Sequence, residues 1–93
     1  MEISYDPEKR AKTLAERGLD FEDAVQVFAG TTLTVEDDRR DYGEARFQTM
    51  GWLNDRLVML VWTERDATRH IISMRKCNDR EEKKFKARVD RSG

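Results

Sequence analysis

The stretch Leu57-Val58-Met59-Leu60-Val61-Trp62 decides the fold, because it is apolar on both faces. A short apolar run of this kind is typical of a central strand, although a buried helix segment can show the same pattern. Its length and its flanking turn residues favour the strand, with Asn54-Asp55 before it and Arg65-Asp66-Ala67 after it. We therefore expect the sheet to be built around residues 57–62.

Further strands are predicted on both sides of this stretch. Leu33 and Val35 alternate with threonines, and residues 44–53 continue the period of two. In residues 68–76 the alternation puts Arg69, Ile71, Ser73 and Arg75 on one face and His70, Ile72, Met74 and Lys76 on the other. Since consecutive strands on short turns pair antiparallel, the four strands predict a meander.

Two helices are predicted before this meander. Asp6 at the N-cap and Pro7 at the first helical position begin one helix, and Gly18 is placed to end it. Asp20 caps the next helix, whose apolar face is predicted to hold Phe21, Ala24, Val25 and Phe28. These two helices predict a hairpin that covers one face of the sheet.

The two ends of the chain complete the pattern. Ile3-Ser4-Tyr5 predicts a short N-terminal strand, and Asn78 or Asp79 caps a C-terminal helix with Glu81 or Glu82 at the capping-box position. The predicted fold class is α+β, with a short N-terminal strand, a two-helix hairpin, a four-stranded antiparallel meander and a C-terminal helix.

Composition narrows the possible functions. The chain has 93 residues, of which 40% are charged and 38% hydrophobic, so we expect one domain over residues 1–93 with a modest core. The lone Cys77 makes neither an internal disulfide nor a Cys/His metal spacing, and we expect no metal and no cofactor. No apolar run approaches the roughly 20 residues of a membrane helix, and the start Met1-Glu2-Ile3 lacks the bases of a signal peptide. A cytoplasmic protein without membrane contact is expected.

Charge is distributed unevenly along the chain. Residues 1–30 hold 4 basic and 7 acidic side chains, residues 31–66 hold 5 and 8, and residues 67–93 hold 9 and 4. A basic end on an acidic body predicts a local anion-binding surface, and the alternative is a solvated helix. The acidic part offers a surface to a basic partner and argues against a plain nucleic-acid binder.

Three groups of segments together resemble the BrnT toxin family, and their order and spacing over nearly the whole chain carry the resemblance. The first group is Asp6-Pro7-Glu8-Lys9, Arg17-Gly18-Leu19-Asp20-Phe21-Glu22-Asp23-Ala24 and Val27-Phe28. The second is Gly43-Glu44-Ala45-Arg46-Phe47 with Gly51. The third is Arg69-His70-Ile71-Ile72-Ser73-Met74-Arg75-Lys76-Cys77 with Glu81 and Phe85.

The resemblance implies a RelE-like fold and a ribonuclease toxin that cleaves RNA without a metal and thereby inhibits translation and growth. It also implies a partner that neutralises the toxin, the ribbon-helix-helix antitoxin BrnA. The resulting toxin–antitoxin hetero-oligomer would bind operator DNA through the antitoxin. Phe85 stands where the family often has tyrosine, and Glu16-Arg17 where many members have Lys-His. These differences favour the alternative, a catalytically weak toxin-fold protein that acts mainly as an antitoxin-binding transcriptional co-repressor.

The expected chemistry points to arginine. RNA cleaves itself when its 2′-hydroxyl attacks the adjacent phosphorus, so an enzyme has to position the strand, stabilise the phosphorane charge and move protons. The resemblance favours Arg75 for the scissile phosphate and Arg69 for a flanking one, which a regular strand would hold about 20 Å apart. The alternative is that both arginines only keep a sheet face solvated. Arg46 and Glu44 would add a phosphate contact and an acid/base group, or form an ordinary cross-strand ion pair.

The remaining candidates have weaker signals. His70 is the only histidine and the obvious proton shuttle, but alternation places it opposite Arg75 and favours a packed or edge position. Glu81 is a general base or only the capping acid, and we favour the cap. The predicted RNA-binding residues are Lys76, Lys83, Lys84 and Trp52, the lysines following the phosphate backbone and the indole stacking on a base or meeting the antitoxin.

Overall fold

A computed structural model describes residues 2–92 and contains five strands and three helices. The strands are β1 (Ile3–Tyr5), β2 (Thr32–Glu36), β3 (Phe47–Leu53), β4 (Arg56–Arg65) and β5 (Thr68–Lys76). The helices are α1 (Pro7–Arg17), α2 (Ala24–Ala29) and α3 (Asp79–Ser92), and a 3₁₀ turn at Phe21–Asp23 leads into α2. The predicted α+β class is confirmed.

The strands form one mixed sheet in the order β1-β5-β4-β3-β2. β1 runs parallel to β5, and the other three neighbouring pairs are antiparallel. β4 has a partner strand on each edge, and Leu57, Val58 and Leu60 are at most 1% exposed. The prediction that residues 57–62 form a central strand is therefore confirmed.

One face of the sheet, which we call the covered face, lies under α1, the 3₁₀ turn and α2. Phe21, Ala24 and Val27 pack there against Leu60 and Ile71 in the larger of the two apolar clusters. Asp6 accepts a hydrogen bond from the Glu8 backbone N–H and Asp20 from that of Glu22, as predicted for N-cap residues. Gly18, with φ 68°, closes α1 in the left-handed conformation that glycine adopts most readily.

The prediction that Val25 belongs to this core is wrong. Val25 is 56% exposed and Val27 is buried in its place. The segment begins with a 3₁₀ turn, which winds more tightly than an α-helix. The apolar face is consequently rotated after Ala24, and a uniform α-helical spacing misplaces Val25.

The opposite face, which we call the groove face, is covered only in part. Phe85 of α3 is 1% exposed and packs with Met50, Leu57, Met59 and Cys77 in the second cluster. The pairing Val35↔Gln48↔Val61↔Ser73 forms a row across this face, and Val35 is 49% exposed. The free space between α3 and this row is the groove.

A β-bulge in β5 changes which residues share a face. Val61 pairs with Ser73 but Trp62 pairs with Ile71, so that Ile72 is an extra residue in the ladder. Ile71 and Met74, three residues apart, are consequently both buried on the covered face. The prediction that Arg69 and Arg75 share a face is wrong, because the bulge places Arg69 on the covered face and Arg75 on the groove face.

Candidate functional site

Arg75 lies on the groove face with its side chain 45% exposed. Its Nη1 and Nη2 atoms donate to the two carboxylate oxygens of Glu81 at 2.8 and 2.7 Å, and Nη1 also reaches the Lys76 carbonyl at 3.3 Å. A guanidinium has five N–H donors, more than these bonds use. Arg75 is therefore held in place by Glu81 while part of its donor set still faces solvent.

Glu81 is fixed from two directions. Its Oε1 accepts from the Asn78 backbone N–H, and the Asn78 side chain accepts from the Glu81 N–H, which confirms the predicted capping box. The Arg75 hydrogen bonds are the main cause that lowers the pKa of Glu81 to about 2. Because a carboxylate with so low a pKa is a weak proton acceptor, Glu81 fits the task of holding Arg75 better than that of a general base.

The groove beside this pair has an apolar floor and a charged wall. It encloses about 150 Å³. The floor residues come from three strands and are Leu33, Val35, Gln48, Met50 and Met59. The wall is one face of α3, formed by Glu81, Lys84 and Arg88. Met59 pairs with Arg75 across the strands, so the guanidinium lies at one end of the groove.

The segment between β2 and β3 holds two of the predicted residues. β3 begins only at Phe47, so Glu44 and Arg46 lie in a loop and not on the expected strand face. Glu44 binds Arg65 at 2.8 Å and not Arg46. The Arg46 guanidinium lies 3.9 Å from the centre of the Tyr42 ring, and its buried Nε atom has no hydrogen-bond partner within residues 2–92.

The same loop brings in a cation that the sequence did not single out. Asp37 is 5% exposed and accepts from Arg39 at 2.7 Å, and this bond is the main cause that lowers the pKa of Asp37 to about 2. Arg39 is 68% exposed, and its charge lowers the pKa of Arg75 against the larger, opposite effect of Glu81. In the sequence, Arg39 was only part of a charged turn.

His70 is on the groove face, contrary to the prediction that it lies opposite Arg75. It pairs with Thr63 beyond the bulge, and its Nδ1 atom is 3.0 Å from the Ser4 hydroxyl. Burial, followed by the charge of Arg65, lowers the pKa of His70. Of the acidic groups that act on His70, Glu44 has the largest effect, and His70 in turn lowers the pKa of Glu44, which places both groups at the loop end of this face.

Arg69 is separated from all of these groups by the sheet. Its guanidinium lies 4.0 Å from the centre of the Phe28 ring and 5.3 Å from that of Trp62. Its Nε atom is buried without a hydrogen-bond partner in the described part of the chain. This position suits packing on the covered face, and Arg69 cannot contact a phosphate that Arg75 holds.

The predicted RNA-binding residues are divided between several surfaces. Lys76 lies beside Gly18 and Leu19 on the covered side, facing away from Arg75 as alternation predicted. Lys84 lines the groove, whereas Lys83 lies with Asp79 and Glu82 on another side of α3. Trp52 is half-buried edge-on against Phe85, their ring centres 5.9 Å apart, so it serves mainly to seat α3.

Residues 2–92 contain no cluster of three or more His, Cys, Asp or Glu side chains that could hold a metal ion. None of the helices in this range has the length and the apolar character needed to cross a membrane.

A family model described as the ribonuclease toxin BrnT of type II toxin–antitoxin systems matches residues 5–81. The matched range runs from the end of β1 to the first turn of α3 and includes Arg69, Arg75 and Glu81. No curated protein matches the chain.

Proposed function

Since the chain belongs to the BrnT family of ribonuclease toxins of type II toxin–antitoxin systems, we propose that it cleaves RNA on the groove face, with Arg75 bound to the scissile phosphate. The observation that carries this proposal is the exposed guanidinium of Arg75, held by Glu81 at the end of a groove with cationic groups in its wall. A group that is already oriented loses little freedom when a phosphate binds, which favours catalysis.

The proposed reaction is attack of the 2′-hydroxyl on the adjacent phosphorus, which forms a 2′,3′-cyclic phosphate as the bond to the 5′-oxygen breaks. The proton of the 2′-hydroxyl passes to water, and the 5′-oxygen takes up a proton from water and leaves as a hydroxyl group. Arg75 would bind the non-bridging oxygens and stabilise the charge that develops on the phosphorane. This permanent cation supplies the charge stabilisation that a metal ion gives in other nucleases, and we propose that the reaction needs no metal. The phosphate would bind the donors of Arg75 that Glu81 leaves exposed.

The loop end of the groove face would contact a neighbouring part of the RNA strand. His70 is five residues from Arg75 along β5, roughly 16 Å in an extended strand, and so cannot reach the same phosphate. We assign Arg46 and Glu44, with His70, to this flanking region. Lys84 would bind a backbone phosphate beside the groove, and we assign Lys83, Lys76 and Trp52 to its margins at most.

We further propose that the fold is RelE-like and that the antitoxin is a BrnA-like ribbon-helix-helix protein, through which the hetero-oligomer binds operator DNA in the cytoplasm. Support comes from the family, whose toxins act with an antitoxin, and from charge. Residues 1–66 carry 15 acidic and 9 basic side chains, a surface that complements a basic DNA-binding partner.

A second candidate function is that of a catalytically weak toxin-fold co-repressor. The two-bond pairing of Arg75 with Glu81 favours it, because a guanidinium engaged in an ion pair is less available to a phosphate. Phe85 adds to this, since it is 1% exposed inside the second cluster and offers no hydroxyl to the reaction.

Induction of the protein without antitoxin separates the two functions. We expect growth arrest with new RNA 5′-hydroxyl ends, and both should be abolished by Arg75→Ala. Arg80 is an exposed arginine in the first turn of α3, and Arg80→Ala, the control, should retain both effects. Cleavage of an RNA oligonucleotide by the purified protein should persist in EDTA. Arrest without new RNA ends, or no arrest, would contradict the ribonuclease proposal, and loss of cleavage in EDTA would contradict the metal-free mechanism.

A further inference from the structure

Gln48 is a polar residue that neither the packing nor the proposed cleavage explains. It stands in β3 between Val35 and Val61 in the row across the groove face, and it lines the groove. The side chain is half-buried, and its carboxamide forms no hydrogen bond with any of residues 2–92. A side-chain amide carries a donor and an acceptor side by side, and both are therefore available to a ligand.

The surroundings of Gln48 combine two properties. Val35 and Met59 give the groove apolar surface, and Lys84 and Arg88 give its wall positive charge. A flat aromatic base that stays linked to phosphates needs this combination, since its faces are apolar and its backbone is anionic. A nucleotide strand fits these features better than an apolar peptide segment, for which the cationic wall and the open amide would be unfavourable.

We propose that the groove is a subsite for one purine base beside the scissile phosphate, and that the Gln48 carboxamide faces the N7 edge of that base and selects adenine over guanine. Adenine offers an N–H donor at N6 next to the acceptor N7, which a glutamine amide matches with two hydrogen bonds. Guanine offers two adjacent acceptors on the same edge and leaves the amide oxygen unpaired. The inference rests on the proposed function in that RNA is the ligand.

The test is a binding experiment with RNA that cannot be cleaved. Single-stranded 2′-O-methyl oligonucleotides that differ only in carrying A, C, G or U are titrated and followed by fluorescence anisotropy. The wild-type protein should bind the adenine oligonucleotide about tenfold more tightly than the guanine oligonucleotide, as one bidentate base contact allows. Gln48→Leu should remove this preference, because leucine has neither a donor nor an acceptor for the N7 edge.

Gln26→Leu is the matched control. Gln26 is an exposed glutamine of α2 whose carboxamide donates to the Asn54 side chain at 3.5 Å, and its replacement should leave the preference unchanged. Circular dichroism checks that each variant is folded. The inference is overturned if the wild-type protein shows no base preference, if Gln48→Leu keeps the wild-type preference, or if Gln48→Leu weakens only the binding of the antitoxin, which would make the groove a protein contact.

Cleavage is measured separately, so that the two proposals can fail independently. A base preference that depends on Gln48 in a protein that does not cut RNA would support the subsite and contradict the ribonuclease activity. Normal cleavage at the same positions by wild type and Gln48→Leu would support the activity and overturn the subsite.

Discussion

Arg69 and Arg75 stand on the same strand, yet their surroundings differ in almost every respect. Arg69 is stacked on Phe28 and near Trp62 beneath α2, with a buried Nε atom that lacks a hydrogen-bond partner in residues 2–92. Arg75 is paired with Glu81 and 45% exposed at the end of the groove. The same residue type thus contributes to packing on one face of the sheet and to a candidate anion site on the other.

The helices that cover each face and the register of β5 together determine which arginine is exposed. Two helices and a 3₁₀ turn pack on the covered face, and three of their residues are completely buried there: Phe21, Ala24 and Val27. α3 covers one part of the groove face, and its large buried anchor is Phe85. The bulge at Ile72 then decides which arginine belongs to which face.

The largest expected effect comes from removing the α3 anchor. Phe85→Ala should lower the free energy of unfolding by about 3–5 kcal/mol, as for other buried aromatic residues. It should also release α3 from the sheet before the rest unfolds, whereas Phe21→Ala, matched in size and burial, should weaken the whole core. Urea unfolding measures the free energy, and hydrogen exchange measures the protection of each helix. Unchanged amide protection in α3 of the Phe85 variant would contradict the claim that Phe85 holds α3 on the sheet.

The next effect concerns catalysis. Arg75→Ala should lower kcat/KM for RNA cleavage by about 10²–10³-fold, since it removes a charged donor aimed at the transition state. Arg69→Ala, corrected for the folded fraction, should change kcat/KM by only a few fold, because its side chain lies on the other face. A fluorogenic RNA oligonucleotide provides the assay, and equal losses in both variants would argue against a one-sided site.

For stability the order should be reversed, and Arg69→Ala should be more destabilising than Arg75→Ala. Arg69→Ala should cost about 1–2 kcal/mol, because the cation–π contacts and the packed aliphatic stem are lost together. Arg75→Ala should cost about 1 kcal/mol or less, as expected for a half-exposed ion pair. Chemical denaturation at pH 7 gives both values, and a larger cost for Arg75→Ala would show that its pair with Glu81 is structural.

The smallest effect is a dependence on acid. The pKa of Glu81 is lowered to about 2 in the folded protein, from the ordinary value of 4.5 that we take for the unfolded chain. A folded-state pKa below the unfolded value gives stability that is complete above about pH 4.5 and is lost as the pH falls towards about 2. The stability difference between wild type and Glu81→Gln should therefore be about 1 kcal/mol or less at pH 7 and shrink towards pH 2. Urea midpoints across this range check it, and a difference that grows in acid would contradict the assigned pair.

The fold followed from local signals where those signals were strong. The apolar run 57–62 fixed the central strand, and Asp6, Asp20 and Gly18 fixed the helix ends through caps that depend only on nearby backbone. The bulge was not predictable in this way. Ile71 and Ile72 are both apolar, so either residue could face the core, and only the pairing with Trp62 across the sheet selects one. The 3₁₀ turn before α2 likewise displaced Val25.

The candidate site was predictable only in part. Arg75 and the capping role of Glu81 followed from the resemblance and from helix chemistry, whereas the bond between them depends on where α3 meets the end of β5. The sequence did not single out Gln48, because the pattern of a strand does not distinguish a glutamine that binds a ligand from one that only faces solvent. Arg39 lay in a charged turn, and only the folded chain brings its charge near Arg75.

The claim that the groove face binds RNA is tested most directly by NMR mapping of the RNA-binding face in solution. Backbone and arginine side-chain NMR signals are compared with and without an RNA oligonucleotide whose scissile nucleotide carries a 2′-deoxyribose. We predict shifts at Gln48, Ser73 and the Arg75 guanidinium, with Arg69 and Val25 unchanged. Shifts confined to Arg69, Val25 and the surrounding covered face would contradict the claim that the groove face binds RNA.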